Sequence, residues 1–129
     1  MARFVDNHDG TVTDTLTGLV WQRDDDGQAR SYKAAISYCK TLRLGGKKGW
    51  KLPRLSELLS IVNPQTPNRM DPAFSSGKPE RYWTITEFDY MVDGKNLKRQ
   101  VAYTVDFADG KETTYNKTEG FLVRAVLRR

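Results

Sequence analysis

The chain has 129 residues and a mass of 14.8 kDa, a size suited to one compact core rather than two. Its 38% hydrophobic and 11% aromatic content excludes wholesale disorder, and no apolar run approaches the roughly 20 residues of a membrane-spanning helix. The net charge is +5, and with one cysteine (Cys39) and one histidine (His8) there is neither an internal disulfide nor a zinc site built on several thiolates.

The charge is unevenly spread. Residues 1–26 carry six acids and two bases, and residues 57–129 are nearly balanced. Residues 27–56 hold eight bases (Arg30, Lys33, Lys40, Arg43, Lys47, Lys48, Lys51 and Arg54) and no acid. Such a block favours polyanions through counterion release and long-range steering. The plainer account is a solvated helix face with acids from elsewhere folded against it.

In chain order, residues 3–14 read as a hairpin, with β-branched and aromatic residues on either side of Asp9-Gly10. Asp-Gly favours a tight primed turn because glycine adopts positive φ without a Cβ clash. Asp93-Gly94 and Asp109-Gly110 repeat the signal, so an antiparallel β portion is expected. The spacing predicts a helix over 31–44, with Tyr32, Ala35, Ile36, Cys39 and Leu42 on its apolar stripe, Ser31 as its cap and Gly45-Gly46 as its stop. A second helix is predicted from Pro53 to just before Asn63-Pro64, with Leu55, Leu58, Leu59 and Val62 buried. Residues 63–81 hold four of the five prolines and read as a long irregular loop. Strands are expected at 82–88, 101–107 and 121–127, the last apolar on both faces, as a central strand would be. The fold class is therefore α+β, a single domain over residues 1–129, with two helices on a mainly antiparallel twisted sheet and long loops.

Few residues carry a chemical signature. Asp6, Asn7, Asp9 and Asp14 cluster like calcium ligands, but His8 falls at the third ligand position and no glutamate stands at the twelfth. A turn held by side-chain hydrogen bonds fits them better. Asp24, Asp25 and Asp26 read as a solvated loop. Cys39 lies on a buried stripe as a small hydrophobe, His8 belongs at the surface, and the glycines at 45–49 lack P-loop spacing. No enzymatic activity, metal or cofactor is expected. Trp21, Trp50 and Trp83 read as core anchors. Tyr90, Tyr103 and Tyr115, near Lys95, Lys98, Arg99, Lys111 and Lys117, would suit sugar rings or sulfates by stacking and charge-assisted hydrogen bonds, the alternative being ordinary strand residues on a solvated edge.

One ordered set of segments carries a resemblance: FVDNHDGTVTDTLTGLVWQ at 4–22, AAISYC at 34–39, LGG at 44–46, WKLPRLSELLSIV at 50–62, YWT at 82–84, VDFADG at 105–110 and VRAV at 123–126. Each is weak alone, but in this order they resemble the Lcl C-terminal domain family, named for the Legionella collagen-like adhesin. The resemblance implies a C-type-lectin-like fold, related in architecture to formylglycine-generating enzymes and to variable proteins of diversity-generating retroelements. It also implies a bacterial ligand-binding module at the cell surface or outside the cell, and a trimer, as for the adhesin that binds sulfated glycosaminoglycans. Where family members often carry a second cysteine, this chain has Ala125, so Cys39 has no partner and a cytoplasmic location stays open. The Glu-Pro-Asn and Trp-Asn-Asp segments of calcium-dependent lectins are absent, so any sugar binding is expected to be calcium-independent. A single cysteine also precludes the copper-binding pair of the formylglycine-generating enzymes.

The expected function is non-catalytic recognition of an anionic glycan of sulfated glycosaminoglycan type, or of a cell-surface protein. The expected face comprises Glu87, Phe88, Tyr90, Lys98, Arg99, Tyr103, Tyr115, Asn116 and Lys117, with Lys47, Lys48, Lys51 and Arg54 adding a positive field. The alternative is a protein-binding or assembly module, such as a retroelement variable protein or a phage or pilus tip domain. Nucleic acid is disfavoured because no recognition motif accompanies the charge, and no membrane insertion is expected.

Overall fold

The computed structural model of the chain describes residues 2–74, 79–88, 91–92, 94–96 and 100–128. Its elements are β1 (Phe4–Asp6), β2 (Thr11–Asp14), β3 (Val20–Gln22), α1 (Tyr32–Thr41), α2 (Leu55–Ser60), a 3-10 turn (Pro67–Arg69), β4 (Arg81–Glu87), β5 (Met91–Val92), β6 (Lys95–Asn96), β7 (Val101–Asp106), β8 (Lys111–Asn116) and β9 (Val126–Leu127). The fold is α+β. One antiparallel sheet runs β1-β2-β3-β9, a second runs β4-β7-β8, and β5 and β6 form a separate ribbon.

Two hairpins share one construction, wider than the tight turn expected. Asp6 pairs with Val12 across five residues, 7–11, and Asp106 pairs with Lys111 across four, 107–110. In the first, Asp6 accepts from the His8 N–H and Asp9 from the Thr11 N–H and hydroxyl. In the second, Asp106 accepts from the Ala108 N–H and Asp109 from the Lys111 N–H. Aspartate carboxylates thus replace main-chain partners, and each loop closes on a glycine with positive φ, Gly10 at 90° and Gly110 at 74°. Asp14 is held differently: Arg3 Nε and Nη2 grip its two oxygens at 2.9 and 2.8 Å.

Helix α1 starts as predicted, with Ser31 Oγ accepting from the Ala34 N–H at 3.3 Å, but ends three residues early. The chain leaves in extended conformation at Leu42 and crosses to Leu44, whose Cδ1 would lie 2.9 Å from a Cβ at Gly10. Covering that hairpin loop takes Leu44 out of the helix, and Gly45 and Gly46 turn the chain between Leu44 and Lys47. Helix α2 begins two residues later than expected. Pro53 lies in extended chain, its carbonyl accepting from the Ile85 N–H at 2.8 Å, and Arg54 takes the N-cap. Leu58 is buried and Ile61, absent from the predicted stripe, is buried beside it.

The residues form two packed clusters on opposite faces of the β4-β7 pair. Tyr82, Val105 and Phe107 join Phe4, Val12, Trp21, Leu58, Ile61, Met70 and Phe74 in one. Trp83 and Ala102 join Tyr32, Ala35, Cys39, Trp50, Leu52, Val123 and Ala125 in the other. All three tryptophans are fully buried, as expected of core anchors. The described residues of the proline-rich segment before β4 are irregular apart from the 3-10 turn, yet contribute Met70 and Phe74 to the core, with Phe74 edge-on to Phe4 at 5.3 Å.

The final segment is not the continuous central strand expected. Phe121 bridges Arg30 and Leu122 runs parallel to Tyr82, while Val126 pairs with both Trp21 and Lys51. Between these pairings the chain carries Arg124 inward, 1% exposed. Its guanidinium donates to the Gln22 carbonyl (2.9 Å), the Arg23 carbonyl and the Tyr82 hydroxyl (3.0 Å). Tyr82 donates in turn to Asp25 at 2.6 Å, and burial pushes its phenol up to about 12. The Asp24–Asp26 cluster is a loop with Asp24 and Asp26 exposed, as expected, but its carboxylates are all engaged. Asp25 latches onto the core, Asp26 pairs with Arg30 at 2.7 Å, and Asp24 with Arg23 at 3.1 Å.

Candidate functional site

The expected C-terminal face divides in two. Residues facing each other across β7 and β8 share a side of the sheet, so Tyr115, opposite Ala102, and Tyr103, opposite Thr114, point to opposite sides. Tyr103 meets Phe88 at 5.8 Å. Tyr115 packs on Phe121 at 4.8 Å, beneath the Arg81 guanidinium. Lys117 is paired with Glu87 at 2.6 Å and stands over the Tyr32 ring at 4.4 Å. Asn116 turns its carbonyl oxygen to the Thr118 N–H and hydroxyl. Tyr90, Lys98 and Arg99 lie outside the described residues. Among the described residues of this face, charge and aromatic surface are largely spent on internal contacts.

The basic block behaves otherwise. Lys33 and Lys40 project from α1, Arg43, Lys47 and Lys48 lie in the turn after it, and Lys51 and Arg54 lie on the extended chain before α2. All seven are exposed. Among the described residues, Arg30 is the one member of the block within 4.0 Å of a carboxylate. The plainer account of the charge, acids folded against the block, holds among the described residues for Arg30 with Asp26, and the other seven basic side chains have no carboxylate within 4.0 Å. Two carboxylates feel its field at longer range: Asp9, held below the ordinary carboxylate value first by the Thr11 hydroxyl and also by Lys47, and Glu57, which feels Arg54.

A pocket of about 280 Å³ opens on this side of the molecule. Helix α1 supplies Ile36, Cys39 and Lys40, the extended chain before α2 supplies Trp50, Lys51, Leu52 and Arg54, and Ile85 and Arg128 complete the lining. Its walls are tied together by main-chain bonds. Lys51 and Val126 exchange both N–H···O bonds at 2.8 and 2.9 Å, and the Ile85 N–H reaches the Pro53 carbonyl. A register shift in β4 between Trp83 and Glu87 releases Ile85 from β7 for this purpose. The Tyr32 hydroxyl donates to the Ile85 carbonyl at 2.8 Å, and the Leu55 N–H to Thr86 Oγ1 at 2.9 Å. The Trp50 indole N–H is spent on the Lys47 carbonyl at 3.2 Å, so its ring serves as apolar wall.

The electrostatics of the pocket are one-sided. Arg128 is clamped by both oxygens of Glu57 at 2.6 and 2.7 Å. Burial alone would raise the Glu57 carboxyl, but Arg128 and the Arg54 N–H outweigh it and hold it below its ordinary value. Lys40, Lys51 and Arg54 have no such partner among the described residues. Burial pushes the Cys39 thiol up to about 12, so it presents a neutral wall rather than a thiolate. The site is an apolar floor beneath a rim of free cations, the arrangement that receives an anion with an apolar body.

Lys51 and Arg54 were among the residues singled out from sequence, while Lys47 and Lys48 lie beside the pocket's extended wall. Lys40, Ile36, Cys39, Trp50, Leu52, Ile85 and Arg128 were not. Lys40 was legible within the acid-free run, whereas Ile85 and Arg128 come from distant segments with no local signal.

Residues 10–127 match the family model described as the Lcl C-terminal domain. The chain belongs to the Lcl C-terminal domain family. The match takes in both helices, every strand from β2 to β9 and the whole pocket lining except Arg128, and it supports an adhesin-like module. No curated protein matches this Lcl C-terminal domain.

Proposed function

We propose that this Lcl C-terminal domain is a non-catalytic recognition module that binds an anionic glycan of sulfated glycosaminoglycan type through its α1-side basic face, without calcium. The observation that carries the reading is the set of seven exposed cations between Lys33 and Arg54 with no carboxylate within 4.0 Å among the described residues. Unpaired cations at this density attract a polyanion at the smallest desolvation cost, because few internal ion pairs must be broken first. The family supplies the expectation of a surface-exposed adhesin, and a C-type-lectin-like architecture accords with β1 and β9 lying in one sheet. Absence of turnover accords with a buried, neutral Cys39 and with His8, whose side chain is 88% exposed on a separate hairpin loop.

Heparin binding at graded sodium chloride tests the reading, with a variant reversing Lys33, Lys40, Lys47 and Lys48 to glutamate. Four released counterions predict a log–log salt slope of about −3 on the single-strand scale, abolished in the variant and unchanged by chelating calcium. Binding that ignores salt or survives the reversal refutes it.

A further inference from the structure

The pocket asks for more than charge. A polyanion bound by the exposed lysines has no need of a 280 Å³ recess floored by Ile36, Trp50, Leu52 and Ile85. Apolar walls cannot solvate an ion, so a charge lowered onto that floor would lose its water without replacement. An apolar body can enter, provided its charge stays at the mouth, where Lys51 and Arg54 stand exposed. The volume lies at the lower edge of small-molecule sites, which span roughly 300–1,000 Å³, and so admits about one ring rather than a chain. Glu57 sets the orientation. Its carboxylate is held by Arg128 and by the Arg54 N–H and its field reaches the Arg54 side chain at longer range, so the positive charge it leaves untouched lies at Lys40 and Lys51.

We infer that the pocket binds a compact amphiphilic monoanion, with a ring-sized apolar body on Ile36, Trp50, Leu52 and Ile85 and its sulfate or carboxylate at Lys51 and Arg54. The inference rests on the α1 side being the ligand-facing one, and adds a selectivity that a purely electrostatic surface lacks. Bare anions lack the body that the floor accepts, and neutral rings lack the charge that the rim accepts.

The test is a titration of the intact chain, followed by amide and indole N–H chemical shifts, with three probes: phenyl sulfate, inorganic sulfate and benzyl alcohol. Phenyl sulfate is expected to saturate, with its largest shifts at Ile36, the Trp50 indole and Ile85. Inorganic sulfate should bind about tenfold more weakly for want of roughly 60 Å² of ring surface removed from water. Benzyl alcohol should be weaker by a factor of about five for want of the charge, and Lys51→Ala and Arg54→Ala should each weaken phenyl sulfate about threefold. Both replaced side chains are exposed, so folding is not at stake. Ile36→Phe, which fills the recess, should abolish phenyl sulfate binding while leaving heparin binding intact.

Equal affinity for phenyl and inorganic sulfate overturns the inference, as does equal affinity for benzyl alcohol or shifts scattered away from the pocket. Heparin binding that persists beside any of these leaves the polyanion reading standing. Phenyl sulfate binding in the pocket without heparin binding supports the pocket and removes the polyanion reading.

Discussion

Replacing Arg124 by methionine should be among the most damaging single changes in the chain. The guanidinium is 1% exposed and serves the main-chain carbonyls of Gln22, at the end of β3, and Arg23, just past it, and the Tyr82 hydroxyl, with the Asp25 carboxylate 3.7 Å away. Methionine keeps most of the volume, so little cavity forms, but it leaves those acceptors and Asp25 without their cation. Breaking a buried charged network from one side costs about 3 kcal/mol, the Asp25 end being partly hydrated. For a chain of this length that lowers the melting temperature by about 10 °C. Urea unfolding followed by near-ultraviolet circular dichroism measures it, paired with Tyr82→Phe and the double variant. Because Tyr82 joins Arg124 to Asp25, the two losses should fall short of additive by about 1 kcal/mol. A loss below about 1 kcal/mol for Arg124→Met, or strict additivity, would refute the network.

Acid and backbone strain supply two more tests. Burial would raise the Asp14 carboxyl, but hydrogen bonds from Arg3, Thr17 and the Leu16 N–H hold it below its ordinary value. A folded pKa below the unfolded one gives stability that is complete above about pH 4 and lost as pH falls through the folded value. Asp14→Asn should therefore lower the urea midpoint at pH 7 by the equivalent of about 1 kcal/mol, Arg3 being partly solvated, and flatten the decline in acid. An unchanged acid slope contradicts this. Gly110→Ala should cost roughly 2 kcal/mol, since φ is 74° and the new Cβ would lie 3.0 Å from Val62 Cγ1. Gly27→Ala, at φ 71° with open space around it, should cost only about 1 kcal/mol, and equal losses by thermal melting would deny the steric part.

Helices and core anchors were legible because they answer to local rules. The apolar spacing of Tyr32, Ala35 and Cys39 and the Ser31 cap need no distant partner. Their ends were less legible, since Leu44 leaves its helix to cover Gly10 and Pro53 stays extended to meet Ile85. Strand β8, Lys-Glu-Thr-Thr-Tyr-Asn, is polar and largely exposed, so its pairing with β7 left no hydrophobic alternation to read. The latch from Asp25 to Tyr82 spans 57 residues and the clamp from Glu57 to Arg128 spans 71, so neither left a signature in its own neighbourhood. The candidate site shows the same division. Its cations stand out as an acid-free run, whereas its floor is gathered from three separated segments, with Ile85 released to it by the β4 register shift.

Tyr82 and Trp83, consecutive in β4, stand back to back in different packed clusters. A party wall of this kind has no interior of its own: removing the contents of either room exposes one of its faces to water. Thermal melting should thus proceed as a single event, with fluorescence from Trp21 on one side and Trp50 on the other lost at the same temperature.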